Sequence, residues 1–172
     1  MKVLVAYFTQ TGNTEKIAKA IEWEASKGGH KTELQKLSDV KPDSTAQYDV
    51  VFIGTPIHGG NLAGPATDLL TQLPKSAKFK LAGFVTHSSP AYRQEDFERG
   101  IASFETTAKG KGIKLAGCFE CQGKLDPALH PIVKQIKNLP DQEFDSMIAE
   151  GDKHPNAEDE KNAREFARKV LA

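Results

Sequence analysis

Six consecutive residues, Thr9-Gln10-Thr11-Gly12-Asn13-Thr14, carry the densest chemistry in this chain. They follow an apolar run, Val3 to Phe8, and lead into a pattern of helical period. At such a turn the free backbone N–H groups, the positive end of the helix dipole and three hydroxyls converge on one point, which makes an anion site. A nucleoside-triphosphate loop would need Gly-Lys-Ser/Thr to hold outer phosphates and magnesium, and a dinucleotide fingerprint would need three spaced glycines. Neither is present, so the expected ligand offers a single, accessible phosphate.

Two further segments sit where a ligand of that kind would extend. Gly54-Thr55-Pro56-Ile57-His58-Gly59-Gly60-Asn61 follows the apolar run Val50 to Ile53, and Pro56, Gly59, Gly60 and Asn61 favour tight or left-handed turns. A flat ring can lie against such a backbone. His87-Ser88-Ser89-Pro90-Ala91-Tyr92 follows the run Leu81 to Thr86 and offers hydroxyls, an imidazole and one aromatic side chain. By contrast, Cys118-Phe119-Glu120-Cys121 reads as strand, where positions 118 and 121 point to opposite faces, and no second pair completes a zinc site. His30, His130 and His154 stand beside turn signals without ligand spacing, and Ser88-Ser89-Pro90 lacks the glycines of a hydrolase elbow. No metal ligand and no catalytic nucleophile is assigned.

The elements that position these loops alternate between short apolar runs and helical patterns, the order of a parallel sheet with crossover helices. Five strands are expected: residues 3–8, 31–37, 50–53, 81–86 and 113–119. Lys31 to Leu37 alternates and reads as an edge, while the continuously apolar runs read as strands covered on both faces. Ile17, Ala18, Ile21 and Ala25 share one helix face, and Trp23 falls off it, packed against a loop or a partner. Further helices are expected over 65–73 and 94–109. Residues 123–155 read as an insertion with one or two short helices, about 128–138 and 141–149, punctuated by Pro127, Pro131 and Pro140. It is too poor in apolar residues for a core of its own. Asn156 then caps a final helix whose buried stripe is Ala163, Phe166, Ala167 and Val170. Together these give a doubly wound α/β sandwich, a five-stranded parallel sheet of order 2-1-3-4-5 with helices on both faces, in one domain over 1–172. In such a sheet ligands bind beyond the carboxyl ends of the strands.

On Tyr7, Thr9, Thr11, Gly12, Asn13, Thr14, Ala18 and Ile21, the strand, loop and helix resemble the flavodoxin family, whose phosphate motif is Ser/Thr-x-Thr-Gly-Asn-Thr. The resemblance covers residues 1 to about 120 and the last helix. It implies FMN, with its phosphate in the loop Thr9 to Thr14, its ring against Thr55 to Asn61, and Tyr92 stacked beside His87, Ser88 and Ser89. It further implies that a peptide near Gly59-Gly60 turns its carbonyl toward the flavin, a turn glycine makes at little steric cost. Ala6 departs from the bulkier residue usual there, and the family's acidic Gly-Asp pattern and neighbouring Trp are missing. With neutral loops and two histidines, His58 and His87, the flavin's second potential is expected to be less negative and linked to pH.

Lys+Arg and Asp+Glu both number 23 in 172 residues, so no global field directs the chain to nucleic acid. Eight acids against the single base Lys153 within 141–160 mark a local acidic surface, the expected docking face for an iron-sulfur protein or a flavin reductase. Two cysteines make no disulfide framework, and the six-residue apolar start lacks a signal region. No apolar run approaches the ~18 residues of a membrane span. A cytoplasmic monomer or weak homo-oligomer is expected. Its expected work is electron transfer, cycling FMN between oxidised, semiquinone and hydroquinone states. The alternative is an FMN-dependent NAD(P)H:quinone oxidoreductase, which the lack of a strongly acidic surface overall favours.

Overall fold

In the computed structural model, which describes residues 1–90 and 93–172, each apolar run becomes a strand. They are β1 (Lys2–Tyr7), β2 (Lys31–Lys36), β3 (Val50–His58), β4 (Asn61–Leu62), β5 (Lys80–His87) and β6 (Lys114–Gln122). The five long strands are parallel in the order β2-β1-β3-β5-β6, which is the expected 2-1-3-4-5 once β4 is counted. The sixth, two-residue strand is the difference from the expectation of five: β4 turns back and pairs antiparallel with Ile57 and His58.

Alternation along the strands sorts side chains between two layers. Val3, Val5, Phe52 and Phe84 face α1 (Asn13–Lys27) and α6 (Ala157–Leu171), meeting Ile17, Ile21, Ala163 and Ala167. Leu4, Val51, Ile53 and Leu81 face α2 (Gly64–Gln72) and α3 (Glu98–Lys111), meeting Leu69, Leu70 and Phe104. Phe52, Phe84 and Phe104 are fully buried, each worth about 2–3 kcal/mol of apolar transfer. The centre of the sheet makes room for such rings with glycine. A Cβ built on Gly54 would lie 2.0 Å from the Phe84 ring, so only glycine fits.

Between β6 and α6 the chain forms α4 (His130–Lys137) and α5 (Asp141–Gly151), near the two short helices read from the sequence. α6 starts where Asn156 was expected to cap it: its side chain accepts from the N–H groups of Glu158 and Asp159, and the Asp159 carboxylate accepts from the Asn156 N–H. His154, read as a surface residue, is drawn in here instead, with Nδ1 2.6 Å from Asp159. Trp23 stays half exposed, its ring flanked by Lys27 and Arg164.

Three local differences from the sequence reading shape the ends of the strands. β3 runs on to His58 because pairing with β5 continues through Thr55 and Pro56 before β4 takes over. Before α3, Gln94–Asp96 form a separate 3-10 turn, since Phe97 leaves helical geometry at φ −136° to pack its ring inward. In β6, the pairing steps from Leu81↔Leu115 to Ala82↔Gly117, leaving Ala116 as one extra residue, a bulge with Gly117 at φ +135°.

Candidate functional site

The expected phosphate loop closes on itself before α1 begins. Thr9 Oγ1 accepts from the Gly12 N–H at 3.0 Å, and Gly12 takes the left-handed conformation, φ +87°, that ends the turn. Gly12 is also the residue preceding α1, and no side chain caps that helix. Its first N–H groups and its dipole are therefore open to an anion. Asn13 reaches sideways, donating from Nδ2 to the Lys124 carbonyl at 2.8 Å, and so joins the loop to the segment after β6. Thr14 turns inward, where its hydroxyl and that of Thr86 lie 2.8 Å apart and buried.

A cleft of ≈ 880 Å³ opens from this loop across the carboxyl ends of β3, β5 and β6, within the range of small-molecule sites. Gln10, Thr11 and Asn13 line it, as do Pro56, Ile57, His58, Gly59 and Gly60 on one side and His87, Ser88 and Ser89 at the base. Thr9, Gly12 and Thr14 shape the loop rather than line this cleft. Thr55 is fully buried, bonded to the Ala63 N–H and the Pro56 carbonyl, and Asn61 pairs in β4, so neither joins the lining. Tyr92 lies outside the described residues.

Gly59 and Gly60 both have positive φ, at 55° and 82°, and the Gly59 carbonyl accepts from Arg99 at 2.9 Å. Neighbouring His58 is exposed, and what burial it has pulls its imidazole below the usual histidine range, toward the neutral form. His87 is the opposite case. It ends β5, buried and stacked on Phe97 at 3.9 Å, with Nδ1 3.0 Å from the Ser89 carbonyl and Nε2 2.7 Å from Glu120.

The second loop is tied down by charge. Ser89 donates to Asp96 at 2.7 Å, Arg93 lies 3.2 Å from the same carboxylate, and Lys137 of α4 bonds both Asp96 and Ser89. Burial raises the Asp96 pKa, but the hydrogen bonds from Lys137 and Ser89 and the two cationic charges outweigh it and hold the carboxyl below its ordinary value.

Residues that the sequence reading did not assign to the site include Thr86 at the base, Arg93, Asp96 and Arg99 beside the second loop, and a far wall of Gly123, Leu125, Leu129, Val133, Ile136 and Lys137. The spacing Leu129, Val133, Ile136 is a helical stripe legible in the sequence, but nothing local told which way it faced. A second hollow of ≈ 580 Å³ lies between Tyr7–Thr9, Lys36–Ser38 and α2, away from the glycine and histidine loops. Cys118 packs on the α2–α3 side and Cys121 on the α1–α6 side, both as free thiols. Burial pushes the Cys118 thiol up to about 11 and Cys121 higher still. Among the described residues no group of three or more His, Cys, Asp or Glu side chains is placed to hold a metal ion, and no helix is long and apolar enough to cross a membrane.

This sheet order, with an uncapped helix start opening into a cleft at the strand ends, defines an α/β protein of the flavodoxin fold. A model of the flavodoxin domain matches residues 4–168, and the chain belongs to that family. It is 28% identical over 176 residues to an uncharacterised protein of Methanocaldococcus jannaschii, covering 99% of both chains. It is 28% identical to the flavodoxin-like domain-containing protein BilS of Clostridioides difficile, covering 99% of this chain and 97% of that one. The solved structure of oxidised flavodoxin 1 from Bacillus cereus superposes with a TM-score of 0.69 at 14% identity, over 99% of this chain and 97% of that chain. The family's cofactor is FMN and its general work is electron transfer. The residues here fit that cofactor: the loop lining at positions 10–13 carries no acid to repel a phosphate, and the Gly59-Gly60 turn has no side chain to stand off a ring.

Proposed function

We propose that this chain binds FMN non-covalently in the ≈ 880 Å³ cleft and passes electrons one at a time to and from protein partners. The observation that carries the reading is the Thr9–Asn13 loop, whose uncapped helix start opens onto the same cleft as the two ring-binding loops. When bound, FMN supplies the redox chemistry, and the protein supplies binding and electrostatics. Gln10, Thr11, Asn13 and the backbone N–H groups at the start of α1 hold the phosphate. Thr9 and Gly12 fix the loop's shape, and Thr14 anchors it to the sheet through Thr86. Pro56 to Gly60 lie against the ring on one side, with His87, Ser88 and Ser89 at its base. Thr55 and Asn61 support this wall from behind, through bonds to Ala63 and Gly59.

The geometry around His87 favours reduction. Both its ring nitrogens face oxygens that accept, a carbonyl and a carboxylate, so both bonds form only when each nitrogen carries a proton. An N–H donor held at the base of the cleft is placed to meet negative charge gained by the flavin. The partner is a redox protein, an iron-sulfur protein or a flavin reductase, and it docks on the acidic face of α5. Asp145 there is exposed and Glu143 partly so, whereas Asp141 is paired with Lys134 at 2.9 Å.

The test is an anaerobic absorbance titration of FMN-loaded protein with NADH and NADPH. A flavin that stays oxidised until a partner reductase is added, and then passes through its one-electron-reduced form, is the expected result. Direct two-electron bleaching by NAD(P)H, with turnover of a quinone, would replace the carrier reading with the NAD(P)H:quinone oxidoreductase. The equal balance of acidic and basic residues supports that second reading.

A further inference from the structure

The short helix α4 has no fully buried residue, yet it carries an apolar stripe. Leu129, Val133 and Ile136 recur at the spacing of one helix face, and all three line the flavin cleft. Leu129 is 43% and Ile136 75% exposed, so this face is turned to the cleft without a protein neighbour to cover it. Exposed apolar surface of this kind marks a contact that the isolated chain does not make. The helix is not loose. Lys137 fixes its end to Asp96 and Ser89 of the second ring loop, and Lys134 pairs with Asp141 at 2.9 Å. At the start of the same segment, the Lys124 carbonyl accepts from Asn13 of the phosphate loop. The stripe is thus tied at both ends to the loops that meet the cofactor.

We propose that Leu129, Val133 and Ile136 form the wall that covers the flavin ring on the side opposite Gly59-Gly60. This rests on the FMN reading above and deepens it. An oxidised flavin ring is flat and weakly polar on its faces, so three branched aliphatic side chains are a matching surface, and burying them on binding stabilises the complex. The wall also accounts for a hydrophobic helix held by ion pairs over a cleft with a polar base.

Ile132 supplies the control, since it is 52% exposed on the same helix but does not line the cleft. FMN affinity is measured from the quenching of free FMN fluorescence for the wild type, Ile132→Ser and the double variant Val133→Ser/Ile136→Ser, with far-ultraviolet circular dichroism confirming the fold. The double variant is expected to bind FMN at least tenfold more weakly, with a blurred visible absorption band, and Ile132→Ser to match the wild type. Equal affinities for all three, or equal losses in both variants, would overturn the wall. Unchanged FMN binding with slowed electron transfer in the double variant alone would overturn the wall and assign the stripe to a protein partner instead. A wild type that binds no FMN would remove the underlying reading and the wall with it, an outcome distinguishable from the others because it precedes any substitution.

Discussion

His87 and Glu120 join β5 to β6 by a bond of 2.7 Å, the buried imidazole at the base of the cleft reaching a half-exposed carboxylate. The carboxylate and the Ser89 carbonyl fix the ring in place beside the residues that line the cleft. His87→Gln, which keeps hydrogen bonding and cannot carry a charge, is expected to make the second reduction potential more negative. The interaction lost is about 1–2 kcal/mol for partly screened charges, tens of millivolts in a one-electron couple. Spectroelectrochemistry of the FMN-loaded variant checks it, and an unchanged potential would count against a charged His87.

His58 is expected to behave differently, because its pKa is lowered and the ring is neutral at pH 7 and above. His58→Ala should therefore leave the potentials unchanged at pH 7.5. A clear shift there would show that the exposed ring carries charge when FMN is bound.

Asp96 sets an acid limit on the second loop. A carboxyl with a depressed folded pKa contributes stability that is present above its unfolded value, about 4, and is lost as the pH falls through the folded value. Asp96→Asn is expected to lower stability near neutral pH and flatten its dependence on pH below about 4. Urea unfolding at several pH values reads both effects.

Glycine at position 54 is expected to be irreplaceable. Gly54→Ala places a methyl 2.0 Å from the Phe84 ring in a fully buried layer, and overpacking of this kind costs about 3 kcal/mol. Gly110→Ala, in open space inside α3, should be neutral or stabilise by up to about 1 kcal/mol. Equal effects of the two would contradict the packing described.

At the last helix, Asn156→Ala removes the acceptor for two N–H groups and should cost about 1 kcal/mol in urea unfolding. Because α6 packs on α1, the loss should also weaken the phosphate loop, read as a faster release of FMN.

Much of the fold was legible because its signals are local. Val3 to Tyr7 and Val50 to Ile53 are buried on both faces and so lack alternation, while Asn156 and the acids after it announce their own helix. The loop Thr9 to Thr14 was legible for the same reason: its turn, its hydroxyls and its helix are neighbours in the chain. What escaped depends on distant partners. Thr55 looked like a loop residue until β5 and the Ala63 N–H claimed it. The face of α4 followed from Lys137 meeting Asp96, 41 residues away.

The extra residue in β6 has reach beyond its own strand. Because Ala116 is looped out of the pairing, Glu120 stands opposite Val85 and shares the side of the sheet on which His87 emerges two residues later. Were Leu115 and Ala116 both in step with β5, Phe119 would take that place and Glu120 would emerge on the other side. The electrical character of the cofactor's surroundings is then a matter of counting. One amino acid more or fewer in an edge strand decides whether the imidazole at the cleft meets its carboxylate, so a deletion far from the cleft would act as a redox mutation.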